Sequence, residues 1–379
     1  MYFSRVLKVV LLLSLLALVF PLSSAQGQIS VGTAVFRDSS PGLSDMLVVE
    51  LTNLPALSAE EVYEGWLVTD DGSVKLSVGV FAVGEGGSVS HTFTHPDHVN
   101  LASIYDKFVI TVEPIDDPDP DNPSSVVPFS DMIPTPGMVH IRHLIYSWAG
   151  NPPYTSGANE GDPKGITVGL WEQTNVALIH ATLAVNSTTL ADVKLHAQHV
   201  INIVEGAEGA NFDISVGNPG DGFGVFNYAA DARKHANLVV AAVPSNITFV
   251  VFEPQVSESS DNVANWAGLA RDNALSALDS SSITIAQAHI TNSQTLLERA
   301  LNGWDADRDG KVEAILGEGG ATQAQISAQN MGTFNPTVPT KPPRTGDISF
   351  SVFALIALAA GAVLVVGGGV LFRHSRARA

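Results

Sequence analysis

The sequence predicts a multidomain α+β protein with an N-terminal β-sandwich, then an α-helical bundle, then a single C-terminal transmembrane helix. Short β-branched and aromatic runs fill the first third of the chain, apolar residues then recur with the helical period, and an uncharged apolar run lies near the end. The predicted segments are a signal peptide (1–25), a β-sandwich (26–128), a linker (129–136), a helical bundle (137–335), a proline-rich stalk (336–347), a transmembrane helix (348–372) and a cytoplasmic tail (373–379).

The first segment has the pattern of an export signal. Arg5 and Lys8 precede the apolar run VVLLLSLLALVF, and small residues follow it up to Ala25. This pattern predicts that the residues after Ala25 are exported.

The β region contains five candidate strands separated by turn signals, namely MLVVELTNL, VYEGWLVTDDG, VKLSVGVFAV, SVSHTFTH and KFVITVEP. Asp71 and Gly72 stand between two of these runs, where a hairpin turn is expected. The charged, proline-containing stretch 116–125 cannot continue a sheet, so the domain boundary is placed after it. Short strands at this spacing are typical of a sandwich.

Part of this region resembles the extracytoplasmic domain of anti-sigma-K factors. The matching stretches are YEGWLVTDDGSVKLSVGVF and FVITVEP, with Trp66, Gly72, Gly79, Thr111 and Glu113 followed by Pro114. These are packing and turn residues, so the resemblance implies a fold. Anti-sigma factors hold their sigma-binding segment in the cytoplasm, and only seven residues follow the span predicted here, so anti-sigma activity is not expected.

The hydrophobic period changes after the predicted linker. Ile141, Leu144, Ile145 and Trp148 stand at helical spacing on one face. Further predicted helices cover 165–185, 189–205, 224–242, 257–278 and 283–301. A bundle of five or six helices follows from this pattern.

Seven of the eleven histidines lie in the predicted bundle: His140, His143, His180, His196, His199, His235 and His289. Two pairs have i, i+3 spacing, at which two imidazoles share a helix face and one ion. Asp192 and Asp231 each precede a histidine by four residues, a spacing that lets a carboxylate orient the ring. The predicted ligands of a transition metal or a haem are His180, His196, His199 and His235.

Structural or surface roles for these histidines are the alternative. Histidine often lies at the edge of an amphipathic helix without binding anything. The sequence has no Glu-x-x-His pair and no Cys-x-x-Cys-His, so carboxylate-bridged di-iron sites and covalent haem are excluded. No catalytic motif was found either, so an enzyme is not expected.

The stretch DADRDGKVEAILGE, 305–318, resembles an EF-hand loop. Its predicted calcium ligands are Asp305, Asp307, Asp309, the carbonyl of Lys311, and Glu313 or Glu318. Leu316 stands at the twelfth place, where such loops carry a bidentate carboxylate, so the affinity is expected to be weak. A solvated acidic turn without an ion is the alternative.

The C-terminal run 348–372 and the basic tail after it predict a single-pass protein with its ectodomain at the cell surface and its C-terminus in the cytoplasm. Pro343 to Gly346 resemble a sortase-type sorting signal, with Pro342 in place of the usual leucine, so cleavage after Thr345 is the alternative to a retained anchor.

The composition limits the partners. There are 38 acidic against 19 basic residues, a net charge of −19, which disfavours nucleic acid and favours cations. The absence of cysteine excludes disulfides and thiolate chemistry. The predicted function is a surface binding or sensing protein that holds a metal ion or haem, with a calcium-stabilised loop. The alternative is a structural or adhesive envelope protein with calcium alone, and the protein partner stays open.

Overall fold

The computed structural model of the protein describes residues 30–146 and 165–339. Its strands are β1 (Gly32–Arg37), β2 (Met46–Leu51), β3 (Glu61–Val68), β4 (Lys75–Val80), β5 (Val89–Thr94), β6 (Lys107–Pro114) and β7 (Phe129–Met132). Its α-helices are α1 (Thr135–Ile145), α2 (Ile166–Asn186), α3 (Leu190–Glu205), α4 (Val225–Ala242), α5 (Ile247–Asp279), α6 (Ile283–Asn302) and α7 (Ala321–Met331). Both parts of the predicted α+β architecture, the strands and the helices, are therefore present.

Two antiparallel sheets form the β part. One has the strand order β1-β2-β5 and the other β4-β3-β6-β7. Buried residues of both sheets, such as Phe36, Leu47 and Phe108, belong to one hydrophobic core. Residues of β2 alternate between this core and the outside, as expected for a sandwich, whereas β3 and β6 are buried along most of their length.

The residues that carry the family resemblance have identifiable physical roles. Trp66 on β3 donates its indole N–H to Thr111 Oγ1 on β6 at 2.9 Å, and both side chains are buried. Gly72 lies in the hairpin between β3 and β4 with φ of +73°, which confirms the predicted turn. Gly79 has φ of +112°, a conformation that residues with a Cβ rarely adopt.

Two strands were not predicted. β1 pairs with β2, and β7 pairs with β6 within the stretch 129–136 that was predicted to be a linker. β7 has only four residues, of which Phe129 is buried against the core. A strand this short has too few residues for a period-two pattern to be visible in the sequence.

Alanine side chains on the central helix allow the helices to pack closely. Helix α5 contacts α3, α4, α6 and α7, so it lies at the centre of the bundle. Its buried face carries Ala267, Ala270, Ala274 and Ala277, each fully buried. Small side chains at these positions allow the helix axes to approach closely.

One helix is longer than predicted, and one helix was not predicted. Helix α5 begins ten residues before the predicted start, after an N-cap at Asn246, and it contains Pro254. Helix α7 was not predicted, because its glutamine- and alanine-rich sequence has little hydrophobic contrast between its faces.

The chain returns to the sandwich after α7. Ala34 and Phe334 exchange backbone hydrogen bonds of 2.9 and 3.0 Å, and Ser130 pairs with Thr337 in the same way. The Phe334 ring is fully buried and packs edge-on against Phe36, with the ring centroids 5.4 Å apart. Residues 334–337, predicted to end the bundle and begin a stalk, are thus part of the β core.

The predicted fold class and the single-pass localisation need a correction. In the two described ranges, no helix is both long and apolar enough to cross a membrane. The longest one, α5, carries charged residues such as Glu258, Asp261 and Arg271 and packs against four other helices. The run 348–372, the signal peptide, the sorting-like segment and the tail lie outside the described residues.

Candidate metal sites

The described residues contain two separate clusters of three histidines. His180, His196 and His199 form the α2–α3 cluster, and one ring nitrogen of each lies within 4.8 Å of the others. His140, His143 and His235 form the α1–α4 cluster by the same criterion. The structure therefore brings together three of the four predicted ligands and places His235 in the other cluster. His289, on α6, belongs to neither.

The α2–α3 cluster is built by a helical hairpin. Helices α2 and α3 are joined by a short turn, and Thr189 caps α3 by accepting a hydrogen bond from the Asp192 N–H at 3.1 Å. His180 and His196 lie equally far from this turn, so they face each other. Buried alanines on both helices, including Ala181 and Ala197, allow the close packing that brings the rings together.

The ring nitrogens of this cluster have a spacing suited to one ion. His180 Nδ1 lies 3.2 Å from His196 Nδ1 and 3.2 Å from His199 Nδ1. Ligand nitrogens of a tetrahedral zinc ion, with bonds of about 2.0–2.1 Å, are about 3.3 Å apart. The rings meet at angles of 44° to 89° with centroids 4.8–5.6 Å apart, so their edges converge and their faces do not stack.

The orientation of His199 is fixed by a second group. Its Nε2 lies 2.9 Å from the carbonyl oxygen of Val216, and a carbonyl can only accept a hydrogen bond. The Nε2 therefore carries the proton in the neutral ring, and the lone pair of Nδ1 faces the cluster. The fully buried Asn202 holds the loop in place by donating to the carbonyls of Asp213 and Gly217 at 2.8 and 2.9 Å.

Burial favours the neutral form of five of the six clustered rings. Desolvation, together with the neighbouring imidazoles, lowers the pKa of His180 to about 4, and the same causes lower the pKa of His143 and of His235 to about 4. Desolvation also lowers the pKa of His196 and of His140. Neutral imidazoles are the form that binds metal ions.

The predicted orienting carboxylates have other partners. Asp192 accepts a hydrogen bond from the Thr189 hydroxyl at 2.7 Å, at the start of α3. Asp231 lies 4.0 Å from Lys234 Nζ. The second group that orients a ring in the α2–α3 cluster is the Val216 carbonyl, which no side-chain pattern in the sequence could reveal.

The acidic loop 305–318 folds around its own carboxylates. Asp305, Asp307 and Asp309 each place one carboxylate oxygen within 4.8 Å of the others. Asp305 accepts the backbone N–H groups of Arg308 and Gly310 at 2.6 and 3.0 Å.

The chain turns at Gly317, where φ is +90°, and brings the buried Glu318 back toward the loop. Glu318 accepts from the N–H groups of Ala306 and Glu313, both at 3.3 Å. A hydrogen bond between the two carboxyl groups raises the pKa of Glu313 and lowers that of Glu318. The two carboxyl groups therefore influence each other's titration next to the three aspartates.

A serine, a histidine and an aspartate also meet in the sandwich, but not as a hydrolytic triad. His98 Nδ1 lies 2.6 Å from Asp45 Oδ2, and the Ser39 hydroxyl bonds the same carboxylate oxygen at 2.6 Å. Ser39 approaches His98 at Nδ1 as well, at 3.4 Å. A triad needs the serine and the aspartate on opposite ring nitrogens. This arrangement therefore holds a loop and does not activate a nucleophile.

Residues 17–127 match the family model described as "Anti-sigma-K factor rskA, C-terminal". This match confirms the predicted resemblance. It covers less than a third of the chain and ends before β7, so it describes the anti-sigma-factor-like sandwich and leaves the histidine clusters outside. No curated protein and no solved structure matches the chain.

Proposed function

We propose that this protein binds a transition-metal ion through the α2–α3 cluster and acts as a metal-binding or metal-sensing protein. The observation that carries the proposal is the position of His180 Nδ1, 3.2 Å from the Nδ1 atoms of both His196 and His199. Three imidazole nitrogens suit zinc, copper, nickel or iron better than calcium or magnesium, which prefer oxygen ligands.

The spacing favours a bare ion over a haem. Axial ligands of a haem stand on opposite faces of the porphyrin, so their nitrogens are about 4 Å apart with the macrocycle between them, given iron–nitrogen bonds of about 2 Å as for other imidazole ligands. Ring centroids 4.8–5.6 Å apart on three sides leave no space for that macrocycle.

Three protein ligands leave one coordination position of a tetrahedral ion for an outside ligand. Structural zinc sites are usually closed by four protein ligands, whereas sites with three keep a position for water or substrate. All three histidines are half-buried, so this position is accessible to solvent or a small ligand. An exchangeable ion is what a binding or sensing function needs.

The test is the metal content of the full chain after loading with Zn²⁺ and removal of free ion. Replacing His196 and His199 together with Ala is expected to lower bound zinc by one ion per chain, because only His180 would remain. His289→Ala is the matched control, since that histidine lies on another helix of the same bundle. Equal loading of the double variant and the control would refute the proposal.

Calcium in the loop 305–318 is the second part of the proposal. Three aspartates with oxygens within 4.8 Å of one another repel unless a cation neutralises them. The buried Glu318 accepts the N–H groups of Ala306 and Glu313 inside the loop, and it is the proposed substitute for the carboxylate that Leu316 lacks. The expected consequence of this ligand set is weak affinity, with Kd on the order of 10⁻⁴ to 10⁻³ M.

The sandwich supports a separate proposal about partners. Its family match carries the name of anti-sigma-K factors, and the expectation against anti-sigma activity depended on a predicted span that the described residues do not contain. A regulatory protein, such as a sigma factor, is therefore the partner class we propose. Binding of the full chain to a purified sigma factor, compared with binding to an unrelated acidic protein, tests it. Indistinguishable signals would exclude that partner class.

A further inference from the structure

We propose that the α1–α4 cluster is a second, independent transition-metal site, so that the protein holds two ions. His140 and His143 lie one turn apart on α1, and His235 lies on α4, which packs against α1. The two clusters share no residue. This inference goes beyond the α2–α3 site and does not depend on it.

The ring geometry of the α1–α4 cluster matches that of one ion. His143 Nδ1 and His235 Nδ1 are 3.1 Å apart, close to the roughly 3.3 Å between ligand nitrogens around tetrahedral zinc. The ring planes meet at 85°, 57° and 75°, with centroids 4.9–5.7 Å apart. Three rings that are tilted in this way direct their edges to a common point.

A buried polar atom without a hydrogen-bond partner indicates where an ion would bind. His140 Nδ1 is buried and has no hydrogen-bond partner in the described part of the chain. Buried polar atoms without a partner are rare, and each one needs an explanation such as an absent ion or water. A metal ion bonded to His140 Nδ1 would satisfy it.

The donor set defines the class of ion. In the described residues this cluster contains imidazole nitrogen alone, without a carboxylate or thiolate. Such sites bind divalent ions of the zinc, copper and nickel group and disfavour magnesium, calcium and manganese. The ligands come from α1 and α4, two helices far apart in sequence, so an ion here would also cross-link the start of the bundle to its middle.

The experiment is a stoichiometry measurement on the full chain. Apo protein is prepared with a chelator and titrated with Zn²⁺ by calorimetry, with metal content measured on the saturated product. The wild type is expected to bind two ions. His140→Ala with His235→Ala should bind one, His196→Ala with His199→Ala should bind one, and the combination of all four should bind none.

Two measures keep the result interpretable. If circular dichroism shows that the double variant His140→Ala with His235→Ala is unfolded, His235→Gln is used in its place, because glutamine keeps a polar side chain of similar size. His289→Ala should keep both ions. If the α1–α4 variants lose an ion and the α2–α3 variant loses none, this inference is supported and the function proposed for the α2–α3 cluster is refuted. A single wild-type ion that survives both His140→Ala with His235→Ala and His235→Gln would overturn the inference.

Discussion

The return of the chain to the sandwich makes a quantitative prediction at Phe334. This ring is fully buried, packs edge-on against Phe36 and lies 6.0 Å from the Phe108 ring. Replacing a buried phenylalanine with alanine removes its burial energy and leaves a cavity, at a cost of about 3–5 kcal/mol. The backbone hydrogen bonds to Ala34 are kept, so the loss comes from the side chain.

The expected effect of Phe334→Ala is a large fall in thermal stability. One kcal/mol shifts Tm by about 2–4 °C for a domain of 150–250 residues, so the variant should melt roughly 6–20 °C lower. Circular dichroism follows the helices, and tryptophan fluorescence includes the buried Trp66 of the sandwich. If the segment joins the two parts as the structure indicates, both signals should shift.

Val338→Ala is the matched control, four residues further along the same segment. Its side chain is 58% exposed, so the expected change is within about 0.5 kcal/mol. Equal melting temperatures for Phe334→Ala and Val338→Ala would refute the packing of residues 334–337 on the β core.

The remaining predictions concern charge. In the apo protein, burial holds the pKa of His180 and of His235 at about 4, below the ordinary value of about 6.5, so the unfolded state binds more protons between these limits. The free energy of unfolding should therefore fall as the pH drops from about 6.5 to 4, and His180→Asn with His235→Asn should weaken this dependence. Urea midpoints of both proteins at several pH values measure the effect. The same pH dependence in the wild type and the variant would contradict burial of these rings in the neutral form. For the acidic loop, 10 mM Ca²⁺ should raise stability by roughly 1.4–2.7 kcal/mol if Kd is 10⁻³ to 10⁻⁴ M. In thermal unfolding, Asp305→Ala with Asp309→Ala should remove the stabilisation by calcium, whereas a change at the exposed Asp279, Asp279→Ala, should keep it. Stabilisation by calcium in the wild type and in both variants would show that calcium binds elsewhere.

Local patterns in the sequence were sufficient for most elements. The five predicted strands are found, because β-branched runs and turn residues act within a few positions of one another. Helices α2, α3, α4 and α6 lie within one or two residues of their predicted bounds for the same reason. The strands β1 and β7 and the helix α7 were not predicted. β1 and β7 each pair with a residue of the segment 334–337, and α7 packs on α5 and β1, so part of their stability comes from residues distant in sequence.

The grouping of the histidines into clusters depends on more than local sequence patterns. The i, i+3 spacing within α1 and within α3 is a property of the sequence, and so is the presence of a third histidine on another helix. Which third histidine completes which pair depends on helix packing: α2 folds back on α3 and supplies His180, whereas α4 packs on α1 and supplies His235. The Val216 carbonyl and its support by Asn202 depend on a loop conformation that no spacing encodes.

The sequence by itself determined five of the seven described strands, most of the helices, the acidic loop and the two histidine pairs, because each depends on residues that interact within about one turn or one hairpin. Only the tertiary structure decided that the histidines form two clusters instead of one, that Glu318 turns back into the acidic loop, and that residues 334–337 complete the β core. These features bring together groups that are far apart along the chain or joined by an irregular turn. Their positions are set by the packing of the whole core, which hydrophobic periodicity does not specify.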